Sequence, residues 1–248
     1  MAPGPEVPVS ATEGTHVPQL SLPGQAATAD GPTDLSVMYV LHHAFRRDLD
    51  RFVTAARSTP VDAAATWAAL ATRWRRFAAQ LHHHHRVEDR TLWPPLLAAV
   101  DAAGAPGDRA TLEAMQAEHE VIDPLLDGCA RAFSAMVERP GAAARDALVE
   151  RLAEARASLG RHLAHEETDA LPLLQRHLSP DAWARSNRVA KRTLGPRELL
   201  FLVPWAADGL DRPTREHVLA DAGWPFRVLY RSTRGRYTRR EAEAFRYA

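Results

Sequence analysis

The segment "LHHHHRVEDRTLWP" (residues 81–94) decides the fold once it is set beside "LGRHLAHEETDALP" (residues 159–172). In each, a Leu is followed three residues later by His and, four further on, by Glu. A second acid comes next, and Pro stands six residues after the Glu. The matched positions are Leu81 and Leu159, His84 and His162, Glu88 and Glu166, Asp89 and Glu167, and Pro94 and Pro172. Such self-similarity marks a repeated structural unit. A four-residue step is one helical turn plus about 40°, so His84 and Glu88 share one helix face, as do His162 and Glu166.

The segments preceding each copy repeat as well. Around His42, apolar residues fall at Met38, Phe45, Leu49 and Phe52, offsets of −4, +3, +7 and +10. Met115, Ile122, Leu126 and Cys129 stand at the same offsets from His119. Taking His43 as reference would place Arg46 and Asp50 at core-facing positions. The phase therefore selects His42, with His43 one residue away as the alternative. The other histidines of the run, His82, His83 and His85, and His165 in the second copy, are expected on other helix faces. His85 and His43 are kept as auxiliary candidates, and Cys129 reads as a small core residue.

Ala, Leu, Arg and Glu at helical spacing dominate the chain, and alternating β-branched runs are absent. Four long helices are expected: from Asp34 or Ser36 to about residue 57, then 61–93, 108–138 and 142–177. The breaks "STPVD", "DAAGAPGD" and "RPG" between them are short. Short connections imply antiparallel neighbours, hence an all-α, up-down-up-down four-helix bundle over residues 34–178. Residues 1–33, rich in Pro, Gly, Ala and Thr, read as a disordered tail. Residues 179–248 read as a C-terminal extension of short helices (180–193, 197–208, 213–221) packing on the bundle, because Trp183, Trp205 and Trp224 need burial.

Bulk properties narrow the function classes. Thirty-one basic residues balance 31 acidic ones, which argues against a nucleic-acid footprint. No apolar run is long enough to span a membrane, the N-terminus lacks a signal-peptide pattern, and the single cysteine fits a reducing compartment. A cytoplasmic protein is the expectation.

The bundle interior would then hold four imidazoles (His42, His84, His119, His162) and two carboxylates (Glu88, Glu166), drawn from all four helices. Uncompensated, a buried neutral polar group costs about 2–7 kcal/mol and a charge more. A bound pair of cations removes that penalty. Nitrogen and oxygen donors without thiolate suit iron, manganese or zinc.

These residues resemble the hemerythrin-like (HHE cation-binding) family over about residues 34–178. The resemblance implies a four-helix bundle around a non-haem di-iron centre, with His42, His84, Glu88, His119, His162 and Glu166 as metal ligands. It implies a small diatomic or peroxide partner at the metal. Two features depart from the oxygen-carrying members. Asp123 stands where they carry a second histidine on the third helix, and Glu166 and Glu167 stand in place of their His-x-x-x-x-Asp. Three functions follow as expectations: a di-iron protein that senses, scavenges or stores, an oxidoreductase with Tyr39 beside the site, or an iron-responsive interaction module using the extension.

Overall fold

In a computed structural model, which describes residues 16–248, the described chain is all-helical and contains no strand. Four long helices carry most of the core: α1 (Ser36–Ser58), α2 (Ala64–Val87), α4 (Pro106–Glu138) and α5 (Ala142–His165). Each places Leu, Phe, Trp or Met on one face. Phe52, Trp74, Phe133 and Leu152 meet in the lower half of the interior, below the histidines. Pairing is strongest for α4 with α5, α1 with α5 and α2 with α4, whereas α1 and α2 meet only sparsely.

Neither α2 nor α5 ends at its acid pair. The helix widens instead into a π turn, Glu88–Leu92 in one copy and Glu166–Ala170 in the other, before continuing as α3 (Trp93–Ala102) and α6 (Leu171–His177). The amide of Trp93 reaches the Glu88 carbonyl, and that of Leu171 reaches the Glu166 carbonyl, five residues back in both cases. Pro94 and Pro172 account for this. Each lacks an N–H to continue the four-residue ladder, and its ring crowds the carbonyl four residues earlier, so the backbone opens by one residue. The sequence reading, which ends the second helix near residue 93 at its two prolines, is corrected here, since the chain stays helical through α3 to Ala102.

Residues 16–33 also depart from expectation, being an extended strap laid across the bundle, while residues 1–15 lie outside the described residues. The Gln175 amide donates to the carbonyls of Ala29 and Thr33 at 2.9 and 2.8 Å and accepts the Thr33 N–H at 2.9 Å. Gly31 is needed there, since a Cβ would strike the Gln175 side chain. Tyr39 Oη accepts the Ala29 N–H at 2.8 Å.

Beyond residue 178 the chain forms α7 (Pro180–Arg192), α8 (Pro196–Ala206), α9 (Arg212–Asp221) and α10 (Trp224–Ala244). The sequence reading assigns nothing to α10, whose buried residues are Tyr237, Glu241 and Ala244 in an arginine-rich frame. Helices α8 and α10 close over α1 and α2, adding Phe201, Trp205 and Phe245 to the core. A buried ionic cluster joins these elements. Arg73 of α2 pairs with Asp48 of α1, and its Nε donates to Glu241 of α10 at 2.5 Å. Asp48 also accepts from Arg47 at 2.8 Å and from Trp205 Nε1 at 2.7 Å. Trp183 and Trp205 are buried as expected, but Trp224 is 75% exposed.

Candidate metal centre

The two π turns lie at one level of the interior and aim their first acids inward. Glu88 and Glu166 are each at most 1% exposed. Around them stand His42 from α1, His84 and His85 from α2, His119 from α4 and His162 from α5, all buried. Two sets of side chains are compact enough to hold an ion each. The ligand atoms of His42, His84, Glu88 and Glu166 all lie within 4.8 Å of one another, as do those of His85, His119 and His162. The two sets are contiguous. Glu88 approaches His84 Nε2 at 3.1 Å and His119 Nε2 at 3.5 Å, and Glu166 approaches His42 Nε2 at 3.2 Å and His162 Nε2 at 3.9 Å.

Four of the imidazoles are held from behind by a carboxylate. His42 Nδ1 lies 2.8 Å from Glu167, His85 Nδ1 3.0 Å from Asp123, His119 Nδ1 2.9 Å from Asp89 and His162 Nδ1 2.7 Å from Glu118. An ionised carboxylate only accepts, so each Nδ1 carries the hydrogen and each Nε2 is turned toward the interior. The repeat thus contains a rule beyond its ligands: the first acid of each pair points inward, and the second holds a histidine on another helix. Asp89 serves α4, and Glu167 serves α1. Glu167 is itself fixed by Arg46 Nη1 and Nη2 at 2.7 and 2.9 Å and by the Ala26 N–H of the strap at 2.7 Å.

A family model, the hemerythrin HHE cation binding domain, matches residues 33–174, more than half of the chain. The chain belongs to this family. Comparisons with curated proteins and with solved structures returned no match. The HHE match runs from the strap's end into α6, so α7–α10 lie outside it.

The protein groups at this centre suit a cation. Nε2 of His42, His84 and His85 and all four oxygens of Glu88 and Glu166 are buried without a hydrogen-bond partner. So many orphaned atoms converging on one space is expensive, because buried polar groups are ordinarily paired. Burial alone would lower the His42 ring, but the charge of Glu166 beside it and the hydrogen-bonded Glu167 override it, raising its pKa to about 9. Burial likewise opposes ionisation of Glu166, but His42 and then His162 and His84 hold its carboxyl at about 2. Glu88 is pushed well above the usual carboxylate range by burial and by Glu166 and Asp89 beside it. Burial, with the neighbouring imidazoles, keeps His84 and His85 well below the usual histidine value and therefore neutral. His84 and His85 thus offer free lone pairs, whereas His42 and Glu88 would each give up a proton to an incoming ion.

The structure brings all six sequence-predicted residues into this space and leaves His43 outside, against the Pro23 carbonyl at 3.3 Å. It corrects the placement of His85, expected on another face. His84 and His85 differ by about 100° around α2, and the interior at this level is wide enough to receive both. The available signal was Asp123, singled out in the sequence as a departure from the pattern: it supports His85 at 3.0 Å. His82 approaches Asp123 at 3.6 Å from a half-buried position, and His165 shares Glu118 with His162 at 2.8 Å. Tyr39 is engaged with the strap, and Cys129 is a core thiol pushed by burial to about 12.

Proposed function

We propose that this chain is a non-haem di-iron protein, an up-down-up-down four-helix bundle formed by α1, α2 with α3, α4, and α5 with α6. His42, His84, Glu88 and Glu166 would hold one ion, and His85, His119 and His162 the second, with Glu88 and Glu166 shared between them. The observation that carries this reading is the set of seven convergent, unpartnered nitrogen and oxygen atoms, backed by the HHE family match. Manganese or zinc would satisfy the same donors, but a five-imidazole, two-carboxylate set in a dry interior suits a redox-active ion best.

A bound iron pair supplies exchangeable electrons and a coordination position for O2, peroxide or NO. The chain's own residues set the conditions. Glu167, Asp123, Asp89 and Glu118 fix the tautomer and orientation of four rings. His42 Nε2 stands 3.2 Å from Glu166, and an ion held by both would displace the proton from the His42 ring. Phe45, packed 5.3 Å from the His84 ring, helps exclude water. Iron loading followed by metal analysis and exposure of the reduced protein to O2 tests the reading. Two irons per chain and a new near-ultraviolet absorption are expected; a chain that takes up no metal would sink it.

A second reading, turnover of a small organic substrate, is favoured by a cavity of about 650 Å³ that reaches His84 and Glu88.

A further inference from the structure

That cavity is not enclosed by the HHE-matched residues alone. Its inner wall is the gap where α1 and α2 diverge, lined by Met38, Leu41, Phe45 and Val87, with His84 and Glu88 at its deep end. Its outer wall is supplied by α7, α8 and α9 through Trp183, Leu199, Leu202 and Val218. All of these outer-wall residues lie beyond residue 174, where the family match ends. Without the extension, this side of the centre would face solvent directly.

The geometry points to a binding chamber, built by α7–α9 against α1 and α2, that takes a neutral, largely apolar organic molecule and presents it to the His84 and Glu88 side of the centre. Volume decides against a chamber meant only for diatomic gases. About 650 Å³ is far beyond the roughly 30 Å³ that one water occupies, and it falls in the usual range of roughly 300–1,000 Å³ for small organic ligands. The walls decide polarity, since the lining side chains are mostly apolar, with uncharged polar groups such as Ser36, Gln80, His83, Asn187 and His217 among them. Charge excludes a strongly ionic ligand. Arg188 and Lys191 line the chamber together with Asp34, Asp221 and, at the deep end, Glu88. Two basic and three acidic side chains leave no strong excess of either sign to hold an anion or a cation.

The role assigned to the metal rests on the proposed function, but occupancy of the chamber does not, and the two are tested separately. N-phenyl-1-naphthylamine, a neutral apolar fluorophore, is titrated into the full chain. The expected result is saturable binding of one molecule per chain, with energy transfer from tryptophan, since Trp183 lines the chamber. Leu199→Trp, which fills the space, should weaken binding at least tenfold, and Leu202→Trp should do so independently should the first variant not fold. His119→Ala lies outside the chamber and should lose metal while leaving fluorophore affinity within twofold, so a failed metal centre and a failed chamber give different results. Absence of saturable binding, or equal binding by the filled variants, overturns the proposal. So does binding that appears only after residues 1–15 are deleted, which would assign the chamber to the chain's own N-terminus.

Discussion

His42 of α1 and Glu167 of the second π turn meet at 2.8 Å across 125 residues of sequence, and Arg46 grips the same carboxylate. The contact turns His42 Nε2 inward. Removing it leaves the ring free to rotate and leaves Arg46 without its partner. Glu167→Ala should weaken metal affinity by about 10–100-fold, the usual cost of losing a carboxylate behind a ligating histidine. Chelator competition measures this, and Glu167→Gln, which can still accept from Nδ1, should recover part of the loss. Unchanged affinity in Glu167→Ala would show that His42 is oriented by packing alone.

Neighbouring histidines of the run should behave in opposite ways. His84→Ala and His85→Ala both remove an inward Nε2 and should lower metal content per chain, whereas His83→Ala should not. Full metal content in His85→Ala would return the site to the six residues that the repeat alone selects.

Proline is expected to matter for the centre more than for the helix. Pro172→Ala restores an N–H and can let the π turn of Glu166–Ala170 revert to α-helical register. Alanine is favoured over proline in a helix interior by about 3 kcal/mol, so thermal stability should hold or rise. The change in register swings Glu166 off the interior, so metal affinity should fall. A variant that loses stability but keeps metal would contradict the proposed role of the turn.

The ionic cluster beneath α10 should show the asymmetry of buried charge pairs. Arg73→Ala takes from buried Asp48 and Glu241 the cation they share, leaving them only Arg47 with Trp205 and Arg51 respectively, and breaking such a cluster typically costs about 3–5 kcal/mol. Urea denaturation would register it as a lowered midpoint. A loss well below 1 kcal/mol would mean that water reaches the cluster.

Acid should act on the same cluster. Burial opposes ionisation of Asp48, but Arg73 and Arg47 prevail and hold its carboxyl below the ordinary range. The unfolded chain, with an aspartate pKa of about 3.9, therefore takes up the proton first. The contribution is fully present above that value and is lost as pH falls through the lower, folded one. Asp48→Asn should start from lower stability and lose less of it between pH about 5 and 2. Parallel acid profiles for the two proteins would assign the sensitivity elsewhere.

How much of this was legible in the sequence follows from what the helical period controls. The spacing of His84 with Glu88 and of His162 with Glu166 is a local helical property, and the phase of Met38, Phe45, Leu49 and Phe52 placed His42 over His43. His85 was not legible, because one residue on α2 is a 100° step, and only the width of the interior beside a π turn determines whether that step stays inside. The strap was hidden by composition. Its hydrogen bonds come from Gln175, Tyr39 and Glu167, residues distant in sequence. Helix α10 was hidden because it buries Tyr237 and Glu241 rather than an aliphatic stripe.

The repeat that reveals the site also makes it unequal. His85 in the first copy corresponds to Leu163 in the second, so the pseudo-twofold relation fails at that one position. Three imidazoles gather on the α4–α5 side, while both glutamates face the two imidazoles opposite. The chamber touches only the latter, through His84 and Glu88. The centre therefore has a front and a back. A molecule arriving through the chamber meets the carboxylate-rich front, and the imidazole-rich back is sealed behind it.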